Sequence, residues 1–388
     1  MRGCIARRGR GSWAIVIDLP KDEAGKRRQK TYTVRGTRKE AERKLNNLLA
    51  ELEGGLYVET PKIGVAAFLE RWLADYAKPN VSGKTFERYQ EIVRLHLVPA
   101  LGSIKLAALT PIVIQDYYAK ALSRGRIDGK GGLSAQTVLH HHRVLRKALR
   151  QGVRWQILGR NVADAVTPPR VERREMTVLN EDQTAQLLAA AKTSRLDIVI
   201  QLAVMTGLRR GEILALRWQD VDLDRGVAHV RRSLEQLRGG LNFKQPKTAK
   251  SRRTVALPPL AVEGLRRHRL EQKKERLAIG PAYQDQDLIC ARLHGTPMDP
   301  SEATAGFARL IAGLDLPKIR LHDLRHGHAT HLLAQGVHPK VVSERLGHST
   351  IGITLDTYSH VMPGMQEEAA QRLDDALRAA ITRRDGGA

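Results

Sequence analysis

The sequence is poor in cysteine and has no long apolar run. Its 388 residues include two cysteines, Cys4 and Cys290, which are too few for a disulfide framework or a cysteine-ligated zinc site and suit a reducing compartment. No segment approaches ~18 uninterrupted apolar residues, and the first residues lack the apolar core of a signal peptide. We therefore expect a cytoplasmic protein without a membrane anchor.

Acidic residues are few compared with basic ones. The chain has 65 Lys and Arg against 41 Asp and Glu, a formal net charge of +24. This excess predicts attraction to a polyanion, although arginine-rich chains can become basic without binding nucleic acid, so charge alone favours DNA or RNA only modestly. A chain of this length usually makes two or three domains, because single cores rarely grow beyond ~250 residues.

Three segments separate along the chain. Residues 1–58 contain two strand-like runs, WAIVIDL and KTYTVRG, followed by a helix that begins after Thr37. This small basic module is either a solubilising appendage or a sheet that enters the major groove of DNA. A Pro-rich, charged linker, Thr167 to Glu175, then divides residues 63–169 from residues 174–388.

Residues 63–169 have the pattern of a helical domain. Ser82, Thr110 and Ser134 stand where helix N-caps are expected, directly before periodic apolar segments. Pro and Gly residues interrupt the chain between these segments. We therefore predict several consecutive helices over this range.

Two side-chain groups in the helical segment invite a ligand-binding interpretation. Phe68, Trp72 and Tyr76 recur every four residues, which is more typical of a buried stripe than of a stacking surface. The triplet His140–His142 cannot share one metal ion, because adjacent residues on a helix point in different directions. A helix surface near phosphates is the interpretation that we favour for this triplet.

In the third segment, the first run with candidate phosphate-binding residues is TGLRRGEILALRW, from Thr206 to Trp218. Gly207 interrupts one helix, and Arg209 opens the next, so its guanidinium can be presented to a phosphate. Glu212, three residues later, can hold this arginine in place. A surface arginine followed by a glutamate at a helix start is the simpler alternative for this run alone.

The run NFKQPKTAKSRRTVALP contains two lysines, Lys247 and Lys250, between strand-like segments. We predict that PKTAKSRR is the tip of a hairpin. A lysine there can reach into a cleft and donate a proton when it is desolvated, although most loop lysines are simply solvated.

The run LHDLRHGHATHLLAQG predicts a helix on which His322 and Arg325 lie three residues apart. At this spacing both side chains emerge on one side and can converge on one anion. The same helix carries His326, His328 and His331. Apart from Asp323, no acidic residue stands at a suitable ligand spacing, and no HExxH pattern occurs, so we do not expect a metal site.

The run ERLGHSTIGITLDTYSHV places a histidine and a tyrosine ten residues apart. A helix from Pro339 ends at Gly347, His348 follows directly, and a further helix carries Tyr358. Tyr358 has polar neighbours in sequence (DTYSH) and no obvious core to fill. A tyrosine is usually a packing residue, so this position by itself indicates little.

Together these residues suit a metal-free phosphoryl transfer. Guanidinium groups can neutralise the pentavalent transition state, while a nucleophile attacks, a base accepts its proton and an acid protonates the leaving oxygen. The order of the motifs, TGLRRGE, the lysine of PKTAKSRR, HDLRH, LGHS and the downstream Tyr358, resembles the tyrosine recombinase (phage integrase) family. The resemblance covers nearly the whole chain.

The resemblance implies a role for each of the six residues. Arg209 and Arg325 would clamp the scissile phosphate, and His322 would accept a proton or bind the phosphate. His348 would hydrogen-bond a non-bridging oxygen, and Tyr358 would form a covalent 3′-phosphotyrosine. Lys247 would protonate the 5′-hydroxyl leaving group, with Lys250 as the alternative. No cofactor and no metal ion are implied.

The resemblance also implies the fold class and the partners. We expect a mainly α protein with small β elements (α+β). Residues 1–58 would be an arm-type DNA-binding domain with a three-stranded sheet and a helix, residues 63–169 a SAM-like core-binding domain, and residues 174–388 a mixed α/β catalytic domain. Double-stranded DNA with core-type and arm-type sites would be the substrate, bound by a homotetramer at the nucleoid, with an excision factor or a DNA-bending protein as further partners.

Three alternative functions and one question of helix packing remain open at this point. A type IB topoisomerase uses a similar residue set, and a Xer-like resolvase of chromosome dimers generally lacks an arm domain. A non-catalytic DNA-binding regulator could keep the scaffold, although six intact residues argue against it. The segment after Tyr358, with apolar Leu373 and Leu377 at helical spacing, packs either on its own domain or on a neighbouring protomer.

Overall fold

The computed structural model describes residues 3–19, 25–53, 63–172, 176–245, 252–358 and 365–385. The chain divides into two compact units, Met1–Arg173 and Arg174–Ala388. Most described residues are helical and the sheets are small, which confirms the predicted fold class. None of the helices within the described ranges is long and apolar enough to cross a membrane.

The secondary-structure elements follow one another in this order. The first unit contains β1 (Gly3–Gly9), β2 (Ser12–Leu19), β3 (Arg28–Arg35), α1 (Arg38–Glu53), α2 (Val65–Arg71), α3 (Lys78–Asn80), α4 (Gly83–Ile92), α5 (Val98–Leu101), α6 (Pro111–Arg124) and α7 (Ala135–Arg154). The second unit contains α8 (Glu181–Ala191), α9 (Asp197–Thr206), α10 (Arg210–Leu214), β4 (Val221–Asp222), β5 (Val227–Val230), β6 (Ser233–Leu237), β7 (Gly240–Lys244), β8 (Arg253–Ala256), α11 (Pro259–Ile279), α12 (Pro300–Ala312), α13 (Asp323–Ala334), α14 (Pro339–Leu346), α15 (Ile351–Tyr358) and α16 (Met365–Asp385). Two π-helical segments, Trp72–Ala77 and Val93–Leu97, make α2–α3 and α4–α5 nearly continuous.

The N-terminal sheet has three antiparallel strands in the order β1-β2-β3. Ile15 and Ile17 alternate on β2 and are fully buried with Ala41 of α1. Thr37 and Glu40 exchange side-chain and backbone hydrogen bonds at the start of α1. The two predicted strands and the helix are confirmed, and the basic tail supplies the third strand that the resemblance implies.

The helical part of the first unit has its own apolar core. Phe68 and Trp72 are fully buried and Tyr76 is partly buried, so the predicted stripe is confirmed. Ser134 Oγ accepts a hydrogen bond from the Thr137 amide at 3.2 Å and caps α7. Thr110 occupies the N-cap position of α6 as expected.

The interpretation of the histidine triplet as a phosphate-facing surface is wrong for His141, and His142 is buried as well, although it borders a groove. His141 and His142 are buried, and their Nδ1 atoms lie 2.7 and 2.9 Å from the hydroxyls of Tyr117 and Tyr118. Both histidines share the apolar face of α7, at helical spacing from Val138. Burial lowers the pKa of His141 to about 3, so this residue is neutral.

The second unit is built around α9, which is mostly apolar and buried and packs against α8, α10, α11 and α13. Its strands form two sheets, with the orders β4-β5-β8 and β6-β7. Strand β7 pairs with β6, and β8 pairs with β5. Within the described ranges β7 and β8 are not paired with each other, and most of the predicted hairpin tip PKTAKSRR lies outside the described residues.

Candidate active site

Two helix C-termini meet two arginines in the second unit. Helix α9 ends at Gly207 and α14 ends at Gly347, and both glycines adopt the left-handed conformation. A Cβ at Gly207 would lie 2.7 Å from the side chain of Leu346, so the two ends are in close contact. Helix C-termini expose carbonyl groups with partial negative charge, and this attracts cations.

Arg325 is held between these two ends. Its guanidinium donates to the carbonyl of Gly207 at 2.7 Å and to that of Leu346 at 2.8 Å. The side chain is 3% exposed. Burial, aided by the charge of Arg209, lowers the pKa of Arg325 to about 9. Arg325 is thus a fixed and mostly desolvated positive charge.

Arg209 occupies the N-cap position of α10, as the sequence predicts for a residue after a glycine turn. Its Nη2 donates to the carbonyl of Gly347 at 3.0 Å, and its Nη1 donates to Glu212 at 2.9 Å. The side chain remains 40% exposed. Arg209 therefore keeps a solvent-facing edge on which an anion can bind.

A buried ion pair between Glu212 and Arg253 supports Arg209, and only Glu212 was predicted from the sequence. Arg253 donates to Glu212 Oε2 at 2.9 Å and to the carbonyl of Arg345 at 2.7 Å. The side chains of Glu212 and Arg253 are only 6% and 7% exposed. Burial alone would raise the pKa of Glu212, but the hydrogen bond and charge of Arg253 outweigh it and lower this pKa. Arg253 and the buried Val255 lie two residues apart on β8 and therefore share one face of the strand. This spacing was the available signal that Arg253 points inward.

His348 directly follows the glycine that ends α14. Its Nδ1 lies 2.8 Å from Oγ1 of Thr354, a buried residue of α15. Burial, followed by the charges of Arg325 and Arg209, lowers the pKa of His348 to about 4. His348 is therefore a neutral hydrogen-bonding group beside both arginines.

Tyr358, at the end of α15, does not have the polar setting that the sequence indicates. Its side chain is 0% exposed and packs with Leu333 of α13 and with Val342 and Leu346 of α14. Its hydroxyl lies 2.7 Å from Nδ1 of His326. Burial raises the pKa of Tyr358 to about 12, partly opposed by Arg325. The sequence missed this core because it comes from two separate helices.

His322 stands at the N-cap position of α13, and its ring packs edge-on against the ring of His326 at 5.1 Å. Burial, together with the neighbouring His326, lowers the pKa of His322 to about 4. Arg325 instead donates to backbone carbonyls. Convergence of His322 and Arg325 on one anion stays a prediction.

The remaining histidines of α13 have separate partners. Nδ1 of His328 lies 2.8 Å from the carbonyl of Val204, and Nε2 of His331 lies 3.0 Å from the carbonyl of Leu179. These two side chains therefore contact different parts of the unit. Lys247 and Lys250 lie outside the described residues, so their predicted role as proton donor has no structural description.

Comparison with known proteins identifies the family. The sequence profile of the phage integrase family matches residues 177–364, and that of the phage integrase N-terminal SAM-like domain matches residues 65–122. The chain is 28% identical to "Tyrosine recombinase XerC-like" from Caldanaerobacter subterraneus subsp. tengcongensis, over 95% of this chain and 97% of that protein. It is 26% identical to the ICEBs1 integrase of Bacillus subtilis, over 95% of this chain and 98% of that protein.

Two solved structures share the fold. The Tn1549 transposon integrase in complex with transposon right end DNA superimposes with a TM-score of 0.68 at 21% identity, covering 80% of this chain and 100% of that chain. A lambda integrase dimer bound to a COC′ core site superimposes with a TM-score of 0.54 at 18% identity, covering 91% and 93%. With two family profiles and relatives aligned along nearly its full length, this chain belongs to the phage integrase family of tyrosine recombinases.

Proposed function

We propose that this protein is the integrase of a mobile element, which cleaves and rejoins DNA at specific sites through a covalent 3′-phosphotyrosine at Tyr358. The observation that carries the proposal is the meeting of Arg209, Arg325 and His348 at two helix ends, with Tyr358 on the adjoining helix. The relatives whose lengths this chain matches include the integrase of ICEBs1.

The positive charge at the helix ends supports phosphate binding. Arg209 and Arg325 already donate to carbonyl oxygens, which occupy donor positions that a phosphate oxygen would take or share. His348, neutral and anchored to Thr354, offers a further hydrogen bond. The three groups together suit a pentavalent phosphorus whose charge grows during attack.

The reaction conserves the number of phosphodiester bonds. Oη of Tyr358 attacks the phosphorus and passes its proton to a histidine base, while the bond from phosphorus to the 5′-oxygen breaks and Lys247 protonates that oxygen. Religation reverses each transfer, with a 5′-hydroxyl as nucleophile. Because the phosphotyrosine link retains the energy of the broken bond, ATP is not required.

The burial of Tyr358 indicates that cleavage needs a movement of α15. An attacking oxygen must approach phosphorus to about 3–3.5 Å, and a fully buried ring cannot do so. A shift of α15 on DNA binding would open the apolar side of the pocket formed by Leu333, Val342 and Leu346, while Oη of Tyr358 stays beside Nδ1 of His326.

The first unit supports DNA binding through one face of α7. Arg143, Lys147 and Arg154 line an open groove of about 560 Å³, opposite the apolar face that buries His141. The regular spacing of basic side chains along this face suits a run of phosphates. We propose residues 1–58 as the arm-type domain, residues 63–169 as the core-binding domain and residues 174–388 as the catalytic domain.

The C-terminal helix supports assembly into a homotetramer. Leu373, Leu377 and Ile381 recur every four residues on α16 and are exposed. Their exposure favours packing on a neighbouring protomer over packing on the same domain. An excision factor or a DNA-bending protein would act on this assembly.

A nicked suicide duplex tests the proposal, using as core site the direct repeat that flanks the element. We expect the wild type to form a covalent adduct and Tyr358→Phe to form none while binding the duplex normally. Tyr283→Phe, in the same unit, is the matched control and should form the adduct. An adduct with Tyr358→Phe would refute the assigned nucleophile. Relaxation of supercoiled plasmids without recombinant product would favour a topoisomerase, and resolution without integration would favour a Xer-like resolvase.

A further inference from the structure

The hydroxyl of Tyr358 has a histidine partner, His326, which is not one of the six candidate site residues. Nδ1 of His326, on α13, lies 2.7 Å from Oη of Tyr358, on α15. The two ring centroids are 5.9 Å apart. His326 follows Arg325 in sequence, so a single turn of helix presents both the phosphate-binding arginine and the partner of the nucleophile.

Both members of this pair are neutral near pH 7. Burial is the main cause that lowers the pKa of His326, and burial raises that of Tyr358 to about 12. The shared proton therefore belongs to the phenol. When the imidazole proton resides on Nε2, Nδ1 accepts the hydrogen bond that the hydroxyl donates.

We propose that His326 is a catalytic residue which accepts the proton of Tyr358 during strand cleavage and returns it during religation. This inference rests on the proposed function. As the bond from Oη to phosphorus forms, the proton moves from Oη to Nδ1 and leaves an imidazolium. The 5′-oxygen departs with a proton from a separate acid, so charge and atoms balance.

The surroundings of His326 suit a base that is charged only briefly. The carboxylate of Asp323 stabilises the imidazolium, whereas Arg325 opposes it and stabilises the phenolate. The titratable or charged groups that face His326 are Arg320, His322, Asp323, Arg325, His348 and Tyr358. His322 contacts the ring of His326 and is placed to orient it.

The test compares His326→Asn with a matched control, His331→Gln. The side-chain carbonyl of asparagine can accept from Tyr358 near the position of Nδ1, but it is not basic. The control lies on the same helix, and its amide can donate to the carbonyl of Leu179 in place of Nε2. Both variants are assayed for core-site binding and for the single-turnover rate of adduct formation between pH 7 and pH 9.

At pH 7 we expect His326→Asn to bind DNA normally and to form the adduct about 10²–10⁴-fold more slowly, the usual contribution of a positioned base. Its rate should rise about tenfold per pH unit, because the phenol must now ionise by itself. The wild type and His331→Gln should vary little over this range. A 5′-bridging phosphorothiolate, whose thiolate leaves without an acid, should not restore His326→Asn but should restore Lys247→Ala.

Three results would overturn the inference. His326→Asn could react as fast as the wild type or faster, which would make His326 a restraint on the tyrosine. It could react slowly but with the pH dependence of the wild type, which would make its role structural. It could also be restored by the phosphorothiolate. Failure of the wild type to form any adduct would instead refute the proposed function itself.

Discussion

The buried ion pair behind Arg209 gives the most specific stability prediction. Glu212→Gln keeps the size of the side chain but leaves the guanidinium of Arg253 buried without its counter-charge. Removing one partner of a buried pair usually costs about 3–5 kcal/mol, because the other charge stays desolvated. The glutamine amide can still accept one hydrogen bond, and Arg209 is partly solvated. We therefore expect Glu212→Gln to lower the free energy of unfolding by about 3 kcal/mol.

Thermal unfolding measures this loss. For a domain the size of the second unit, about 1 kcal/mol changes Tm by roughly 2–4 °C, so Glu212→Gln should lower Tm by roughly 6–12 °C. The control is Glu271→Gln, which removes the exposed pair with Lys274 and should cost less than about 1 kcal/mol. Adduct formation should also fall, because Arg209 loses the carboxylate that orients it.

The pH dependence of stability provides a second test of the same pair. Because the folded pKa of Glu212 lies below its ordinary value of 4.5, its contribution is complete above pH 4.5 and is lost as the pH falls through the folded value. Glu212→Gln should therefore show a flatter loss of stability in acid than the wild type. A Tm equal to that of Glu271→Gln at pH 7 would refute the reasoning.

Three further predictions concern a glycine, a cap and a histidine. Gly207→Ala should destabilise the second unit by about 2–4 kcal/mol, because it combines a left-handed backbone with a Cβ only 2.6 Å from the ring of His328. Gly336→Ala, also left-handed but in open space, should cost about 1 kcal/mol. Ser134→Ala should cost about 1 kcal/mol, and Thr110→Ala less. Burial lowers the pKa of His328 to about 4. The neutral imidazole therefore contributes stability that is complete above about pH 6.5 and declines by up to about 3 kcal/mol by pH 4. His328→Gln should remove this decline.

Each of these three predictions would be contradicted by a specific result. Equal losses for Gly207→Ala and Gly336→Ala in urea unfolding would mean that the helix ends are not in tight contact. Equal losses for Ser134→Ala and Thr110→Ala would mean that the Ser134 cap carries no stability. An unchanged acid decline in His328→Gln, followed by circular dichroism, would show that other groups cause it.

Local sequence signals determined much of the fold. The aromatic stripe containing Phe68 and Trp72, the cap at Ser134 and the glycine turns at Gly207 and Gly347 are short-range features. Helix periodicity and the left-handed preference of glycine act over a few residues, so a sequence displays them directly.

Burial patterns formed by side chains on different elements were harder to predict. The interpretation of the histidine triplet places His141 on the surface, but its spacing from Val138 puts it on the apolar face of α7. The pairing of β8 with β5 was not predicted, because strand pairing depends on contacts between segments distant in sequence. The contact of Arg253 with Glu212 depends on the position that this pairing gives to β8.

The sequence by itself determined the family, the order of the candidate site residues and their chemical types, since these follow from motifs read along the chain. Only the tertiary structure decided which groups face each other. It placed Arg325 between the ends of α9 and α14, buried Tyr358 and paired its hydroxyl with His326. Helices α13, α14 and α15 each have regular local patterns, but the environment of a side chain at their junction depends on how they pack together, which no local pattern specifies.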